Sequence, residues 1–306
     1  MIELVGASRW YGQVIGLNDV TCTIGPGITA LLGENGAGKS TMIKMITGQL
    51  RPTTGEVRVF GHVPFANRTV LKEIGYCPET DSYYDQMTGR QFVQLMARMS
   101  GLHSKAVRDA ANSAIENVGM AERADTLIAG YSKGMRQRIK IAQALAHDPK
   151  MLIMDEPLNG LDPIGRREMK ELLVRLAGEG KTVLISSHIL HEVEQMTHSI
   201  LLLHRGRLLA RGDIREIRSL IDRHPHRVRV AMDGARQFAP RLLELPYVLS
   251  IQFDRNDPQM FEVQTTEPDR FYSKFAEIVL QDGRRVEEFY SPDNNLEAVF
   301  KYLVTG

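Results

Sequence analysis

Apolar residues recur along this chain in two periods, and the period separates strand from helix. Short apolar runs and strict alternation read as strands. Val20, Cys22 and Ile24 alternate with polar neighbours, with Cys22 in the strand core. Ile28-Thr29-Ala30-Leu31-Leu32, Met151-Leu152-Ile153-Met154 and the run from Thr182 to Ile185 read as buried strands. Recurrence every three or four positions reads as helix. Thr41 to Ile46 is one such stretch, and Phe92, Leu95, Met96 and Met99 mark the apolar face of a second. Val107, Ala111, Ala114, Ile115 and Val118 mark a third, and Met135, Ile139, Ala142 and Leu145 a fourth. Met169, Leu172, Leu173 and Leu176 mark a fifth. Local punctuation agrees. Thr88-Gly89-Arg90-Gln91 is a capping box, Gly119 suits a helix C-terminus, and Ser132 is a good N-cap. His204-Arg205-Gly206-Arg207 reads as the turn between two antiparallel strands.

The pattern divides the chain. Residues 1 to about 80 carry antiparallel strands and one strand–loop–helix unit, residues about 80–150 turn helical, and an α/β pattern then resumes. After about Gly212 a second alternation begins. Val228-Arg229-Val230 reads as strand, Phe238 to Leu245 as helix, and Val248 to Phe253 and Phe261 to Thr265 as strands paired across Asn256-Asp257-Pro258. Phe271 to Leu280 reads as a helix with Phe271, Phe275 and Ile278 on one side, closed by Gln281-Asp282-Gly283. Val286 to Tyr290 is a last strand, and Asn294 opens a short helix holding Leu296, Val299, Phe300 and Leu303. Strand-helix-strand-strand-helix-strand is the ferredoxin-like order. The expected division is therefore 1–212 and 213–306.

Composition narrows the class without adding chemistry. The 306 residues are 43% hydrophobic with a net charge of +1, a globular balance with no global pull toward nucleic acid or anionic lipid. No run approaches the ~18 apolar residues of a membrane span. Met1-Ile2-Glu3-Leu4 lacks the basic-then-apolar plan of a signal peptide. Cys22 and Cys77 stand apart, in no disulfide or zinc spacing.

The chemistry concentrates at strand ends. Gly33-Glu34-Asn35-Gly36-Ala37-Gly38-Lys39-Ser40-Thr41 follows one predicted buried strand and opens a helix. It fits the phosphate-binding loop pattern G-x-x-x-x-G-K-[ST] without mismatch. Its glycines let successive N–H groups face phosphate oxygens at a positive helix N-terminus. Lys39 would reach the β- and γ-phosphates and the Ser40 hydroxyl would ligate Mg²⁺. The run Met151–Met154 ends in Asp155-Glu156, which places two carboxylates at the ligand-binding edge of an α/β sheet. There Asp155 can hold Mg²⁺ through water and Glu156 can orient or deprotonate an attacking water.

Between these motifs, Tyr131-Ser132-Lys133-Gly134-Met135 resembles the L-S-G-G-Q signature of the ATP-binding cassette (ABC) family. Ser132 and Gly134 match; Tyr131, Lys133 and Met135 depart. Taken as a bare helix, the same stretch is a capped amphipathic segment with Lys133, Arg136, Arg138 and Lys140 on its polar side. Asn159-Gly160-Leu161-Asp162 resembles the family's D-loop, and Ser186-Ser187-His188 its switch histidine. Tyr11, before Gly12, resembles the aromatic that stacks on adenine; packing at a strand end is the alternative. Glu79, after Ile74-Gly75-Tyr76-Cys77-Pro78, stands where the family has glutamine. Its carboxylate either ligates Mg²⁺ or faces solvent while water serves the metal.

The resemblance implies an α/β fold: a P-loop NTPase ABC cassette with RecA-like core, antiparallel β subdomain and helical subdomain, followed by a small α+β ferredoxin-like domain. It implies an ATPase that works as a homodimer around two MgATP. One copy would contribute the phosphate loop, Tyr11, Asp155, Glu156 and His188. The other would bring Ser132 and Gly134 across the γ-phosphate, with Asp162 beside the shared nucleotide. A separate integral membrane permease would hold the pair at the cytoplasmic face of the cell membrane, and no nucleic acid partner is expected. The Y-S-K-G-M variant and the C-terminal domain resemble export-type cassettes. An importer ATPase with a C-terminal regulatory domain, or a soluble ABC ATPase, is the alternative; the latter usually carries a long coiled coil or two cassettes per chain, neither present here.

Overall fold

The computed structural model describes residues 1–80, 84–213, 225–255 and 257–292. In chain order the elements are β1 (Ile2–Tyr11), β2 (Val14–Ile24), β3 (Gly27–Leu32), α1 (Lys39–Ile46), β4 (Thr54–Val59), α2 (Arg68–Leu71), β5 (Ile74–Cys77), α3 (Gly89–Met99), α4 (Ser104–Asn117), α5 (Lys133–Leu145), β6 (Met151–Met154), α6 (Pro163–Gly178), β7 (Thr182–Ser187), α7 (Leu190–Glu194), β8 (Ser199–His204) and β9 (Arg207–Asp213). A second series follows: β10 (His226–Met232), α8 (Ala235–Leu242), β11 (Val248–Phe253), β12 (Met260–Thr265), α9 (Pro268–Asp282) and β13 (Val286–Tyr290). The chain forms two compact units, Met1–Asp213 and Ile214–Gly306. The break comes one residue after the expected one because β9 pairs with β8 as far as Asp213.

In the first unit, β2, β1 and β4 make an antiparallel sheet, and a six-stranded sheet runs in the order β5-β6-β7-β3-β8-β9. Its first five strands are parallel and β9 is antiparallel to β8. The parallel strands are apolar because both faces are covered: every residue of β6 and β7 is buried. The β8–β9 turn has Arg205 at φ 46° and Gly206 at φ 78°, both in the left-handed region that a two-residue hairpin turn demands. Gly206 then joins the turn to the phosphate loop, its N–H donating to Ala37 O at 2.9 Å.

The helices begin where their caps place them. Thr88 and Gln91 form the reciprocal capping box of α3, Ser132 Oγ accepts from Met135 N at the start of α5, and Asp162 with Pro163 opens α6. All four apolar residues expected to face inward on α6 are buried. Two expectations fail. Met99 is 74% exposed, since the buried side of α3 is Gly89, Phe92, Val93 and Ala97. Lys140, expected on the polar side of α5, is buried. Its ammonium donates to Pro78 O at 2.9 Å and Glu79 O at 3.4 Å, so backbone carbonyls replace the water it gives up.

The second unit has a four-stranded antiparallel sheet in the order β11-β12-β10-β13. With its two helices it follows the β-α-β-β-α-β ferredoxin-like sequence of elements. Phe238, Phe261 and Phe271 are fully buried in its core, and Phe238 meets Phe275 edge-on at 5.8 Å. The helix expected from Asn294 lies outside the described residues.

Candidate functional site

Three neighbouring strands deliver the chemistry to one edge. β6, β7 and β3 are adjacent and parallel, so their C-terminal ends lie side by side, where open α/β sheets bind ligands. β3 runs into Gly33, β6 into Asp155-Glu156, and β7 ends at Ser187, directly before His188. Beyond β3 the chain turns through the phosphate loop into α1. Gly38 sits at φ 108°, and a Cβ there would lie 2.6 Å from Gly16 O. Only glycine allows both that backbone and that approach.

A cavity of about 390 Å³ lies over this edge, lined by Tyr11, Val14, Ile15, Gly16, Glu34, Asn35, Gly36, Gly38, Lys39, Ser40, Thr41, Glu79, Asp155 and Glu156. Its size suits a small-molecule ligand. Lys39 Nζ donates to Gly33 O at 2.6 Å and Glu34 O at 3.3 Å and lies 3.3 Å from Glu156 Oε1. The two side chains are 7% and 8% exposed, so salt screens the pair little. Glu156 Oε2 is 2.9 Å from His188 Nδ1, and lysine, glutamate and histidine thus form one chain of contacts. Ser186 Oγ donates to Asp155 Oδ1 at 2.6 Å and accepts from Glu156 N at 2.7 Å. Glu156 has φ 49°, a left-handed backbone that costs a non-glycine residue about 1–3 kcal/mol. Burial, with the Asp155 carboxylate nearby, pushes the Tyr76 hydroxyl up to about 12.

Most of the sequence-predicted site residues meet here. Gly33 and Ala37 belong to the loop but are buried behind the lining. Tyr11 is half-exposed at the cavity mouth, its Oη 3.5 Å from Thr41 Oγ1 and the Arg9 guanidinium 5.2 Å from its ring centre. Asp155, Glu79 and the Ser40 hydroxyl all face the same cavity, a hard-oxygen set suited to Mg²⁺. Among the described residues no cluster of three His, Cys, Asp or Glu side chains forms a metal cage.

His188, Ser132, Gly134 and Asp162 do not line this cavity; His188 is joined to it through Glu156 Oε2. Ser132 is exposed at the head of α5. Asp162 Oδ1 caps α6 by accepting from Gly165 N at 2.9 Å. Sequence reasoning missed Val14, Ile15 and Gly16 on β2, a strand of the other sheet that tertiary packing brings against the phosphate loop, and the linking role of Ser186. The doubled serine before His188 was the available signal for the latter.

A second cavity, about 500 Å³, is lined by Tyr76, Pro78, Tyr84, Phe92, Met96, Lys140 and Gln143. The short segment through Pro78 and Glu79 thus borders both cavities.

Comparison with known proteins agrees with this geometry. The ABC transporter family matches residues 17–159. The bacitracin transport ATP-binding protein BcrA of Bacillus licheniformis is 39% identical over 212 residues, 68% of this chain and 68% of the relative. The daunorubicin/doxorubicin resistance ATP-binding protein DrrA of Streptomyces peucetius is 31% identical over 304 residues, 99% of this chain and 92% of the relative. The dimeric structure of a bacterial ABC transporter cassette superposes with TM-score 0.63 at 25% identity, covering 70% of this chain and 99% of the other. The chain belongs to the ABC transporter ATP-binding proteins, a family of cassettes that bind ATP with Mg²⁺ and hydrolyse it.

Proposed function

We propose that this ABC ATP-binding chain works as two copies closing around two MgATP, and that the pair drives a separate membrane permease in export. The observation that carries the reading is a division of parts. Phosphate loop and carboxylates converge on one cavity, to which His188 is linked through Glu156 Oε2, while Ser132 and Gly134 stand apart from it at the exposed head of α5. A second copy would supply the missing wall, with the N–H groups at its α5 N-terminus directed at the γ-phosphate. The dimeric cassette of similar fold supports this arrangement.

Each residue then has a task. Tyr11 stacks on the adenine and the loop from Gly33 to Thr41 encloses the phosphates. Lys39 exchanges the Gly33 and Glu34 carbonyls for phosphate oxygens. Ser40 and Asp155, with Glu79, would hold Mg²⁺, which when bound would offset charge building on the phosphoryl oxygens. Glu156 accepts a proton from the attacking water as its oxygen bonds to the γ-phosphorus and the bond to ADP breaks. His188 holds the Glu156 carboxylate at Oε2 and would contact the γ-phosphate in the closed pair. Asp162, the last residue of the Asn159-Gly160-Leu161-Asp162 segment, stands beside the shared nucleotide in the closed pair.

The second cavity is the docking place for the permease. It is mainly apolar, and the Pro78–Glu79 segment lies between it and the nucleotide cavity, so a shift at one is felt at the other. Among the described residues no helix is long and apolar enough to cross a membrane; the permease would hold this subunit at the cytoplasmic face. Export is favoured by relatives whose names carry bacitracin transport and daunorubicin/doxorubicin resistance. The second unit braces or regulates the pair.

Ser132→Arg tests the composite site. It should leave ATP affinity of the single copy unchanged and cut hydrolysis ~10²-fold, the scale of losing one preorganised donor set. Normal hydrolysis by that variant would contradict the paired mechanism.

A further inference from the structure

Asp155 and Glu156 are consecutive, yet both line the nucleotide cavity. Consecutive residues of an extended strand point to opposite faces. The left-handed backbone at Glu156, φ 49°, is what turns the second carboxylate to the same side. Such a conformation persists only where its surroundings hold it.

Ser186 is placed to hold it. β6 and β7 pair in parallel with Met154 opposite Ile185, so the next residues, Asp155 and Ser186, are carried side by side. The Ser186 side chain is fully buried. Its hydroxyl donates to Asp155 Oδ1 at 2.6 Å and accepts from the Glu156 N–H at 2.7 Å. One oxygen therefore fixes the side chain of one carboxylate and the backbone of the other. With Oδ1 taken, Oδ2 is the Asp155 oxygen left for the cavity. Without the hydroxyl, a partly buried N–H and a buried carboxylate oxygen both lose a partner.

We infer that Ser186 is the positioning residue that aims both carboxylates, acting through Asp155 on the metal and through Glu156 on the attacking water. This rests on the roles proposed above for those two residues. Ser186 is buried and does not line the nucleotide cavity, so its removal should alter turnover and Mg²⁺ demand and leave nucleotide affinity to the phosphate loop.

The experiment compares full-length Ser186→Ala, Ser186→Cys and Ser186→Thr with the native chain. It reads phosphate release at saturating ATP, the Mg²⁺ concentration for half-maximal rate, and ATP affinity by calorimetry. Cysteine keeps the volume while weakening both hydrogen bonds, so it separates geometry from folding. Ala and Cys should lower kcat ~10–100-fold, the effect of a misplaced catalytic group, and raise the Mg²⁺ requirement. ATP affinity should stay within ~twofold, marking a loss made only in the transition state. Threonine, which keeps the hydroxyl, should recover most of the rate. Adding Ser186→Ala to Glu156→Gln should slow hydrolysis by little more than Glu156→Gln alone, because the two act as a unit. A folded Ala or Cys variant with native kcat and native Mg²⁺ requirement overturns the inference, and so does full multiplication of the two losses in the double variant. A native rate in Glu156→Gln alone would instead overturn the catalytic reading of Glu156, and the Mg²⁺ titration of Ser186→Ala would still decide the link to Asp155.

Discussion

Replacing Glu156 with glutamine changes one carboxylate oxygen to an amide nitrogen and almost nothing in volume. The charge facing Lys39 Nζ at 3.3 Å disappears, and so does one acceptor on the His188 side, where Oε2 lies 2.9 Å from Nδ1. The backbone N–H keeps its bond to Ser186. At an effective dielectric of about 20, charges 3.3 Å apart attract by about 5 kcal/mol before desolvation is subtracted. Lys39 retains two carbonyl acceptors, so the expected loss of fold stability is about 1–3 kcal/mol, at or below the cost of breaking a buried pair outright. The kinetic effect is larger. Loss of a positioned base lowers the rate ~10²–10⁴-fold, or about 2.7–5.5 kcal/mol of barrier at 1.36 kcal/mol per tenfold. ATP affinity should hold or rise, because Lys39 no longer divides its attraction between Glu156 and the phosphates. Calorimetry with ATP, single-turnover phosphate release and sedimentation with ATP measure the three consequences: native-like affinity, slow chemistry and a persistent dimer. A rate within ~threefold of native would refute the assignment of Glu156, since it falls below any effect expected of a general base.

Gly38→Ala should weaken ATP binding ~tenfold or more by calorimetry, because its Cβ would lie 2.6 Å from Gly16 O at φ 108°, a backbone that strains side-chain-bearing residues; native affinity would contradict the close packing of the loop. Burial holds His147 below its ordinary value, with Nε2 3.1 Å from Ile74 O and Nδ1 without a hydrogen-bond partner. Below about pH 6.5 the unfolded chain takes up a proton that the folded one resists, so this contribution to stability is present above that pH and is lost as pH falls toward the lowered folded value. The melting temperature of the native chain should therefore fall more steeply from pH 7 to 5 than that of His147→Gln; equal slopes would remove His147 from the account. Phe238→Ala should destabilise the second unit by about 3–5 kcal/mol, the usual cost of emptying a buried phenylalanine site, while calorimetric MgATP binding by the first unit persists; loss of that binding would show that the units do not fold independently.

Much of this protein is written in short-range signals. The phosphate loop, the apolar strands before it and before Asp155, the capping box at Thr88 and the inward face of α6 each depend on residues within a turn or a strand of one another. Periodicity, caps and glycine conformations act over that range, so they can be read without a fold. The sequential order of the second unit is legible for the same reason. Position relative to distant segments is not. Met99 fits the apolar period of α3 but stands in solvent, and Lys140 fits the polar face of α5 but is buried against the Pro78 and Glu79 carbonyls. In both cases the helix period was right and the orientation toward its neighbours decided burial. The contacts that define the site belong to the same class. Lys39 meets Glu156, Glu156 meets His188, and Ser186 joins Asp155 to Glu156. These residues end or follow three strands brought together by the order β6-β7-β3 and by parallel register. Local sequence determined which groups the strand ends carry; the pairing of strands far apart in the chain decided which atoms of those groups touch.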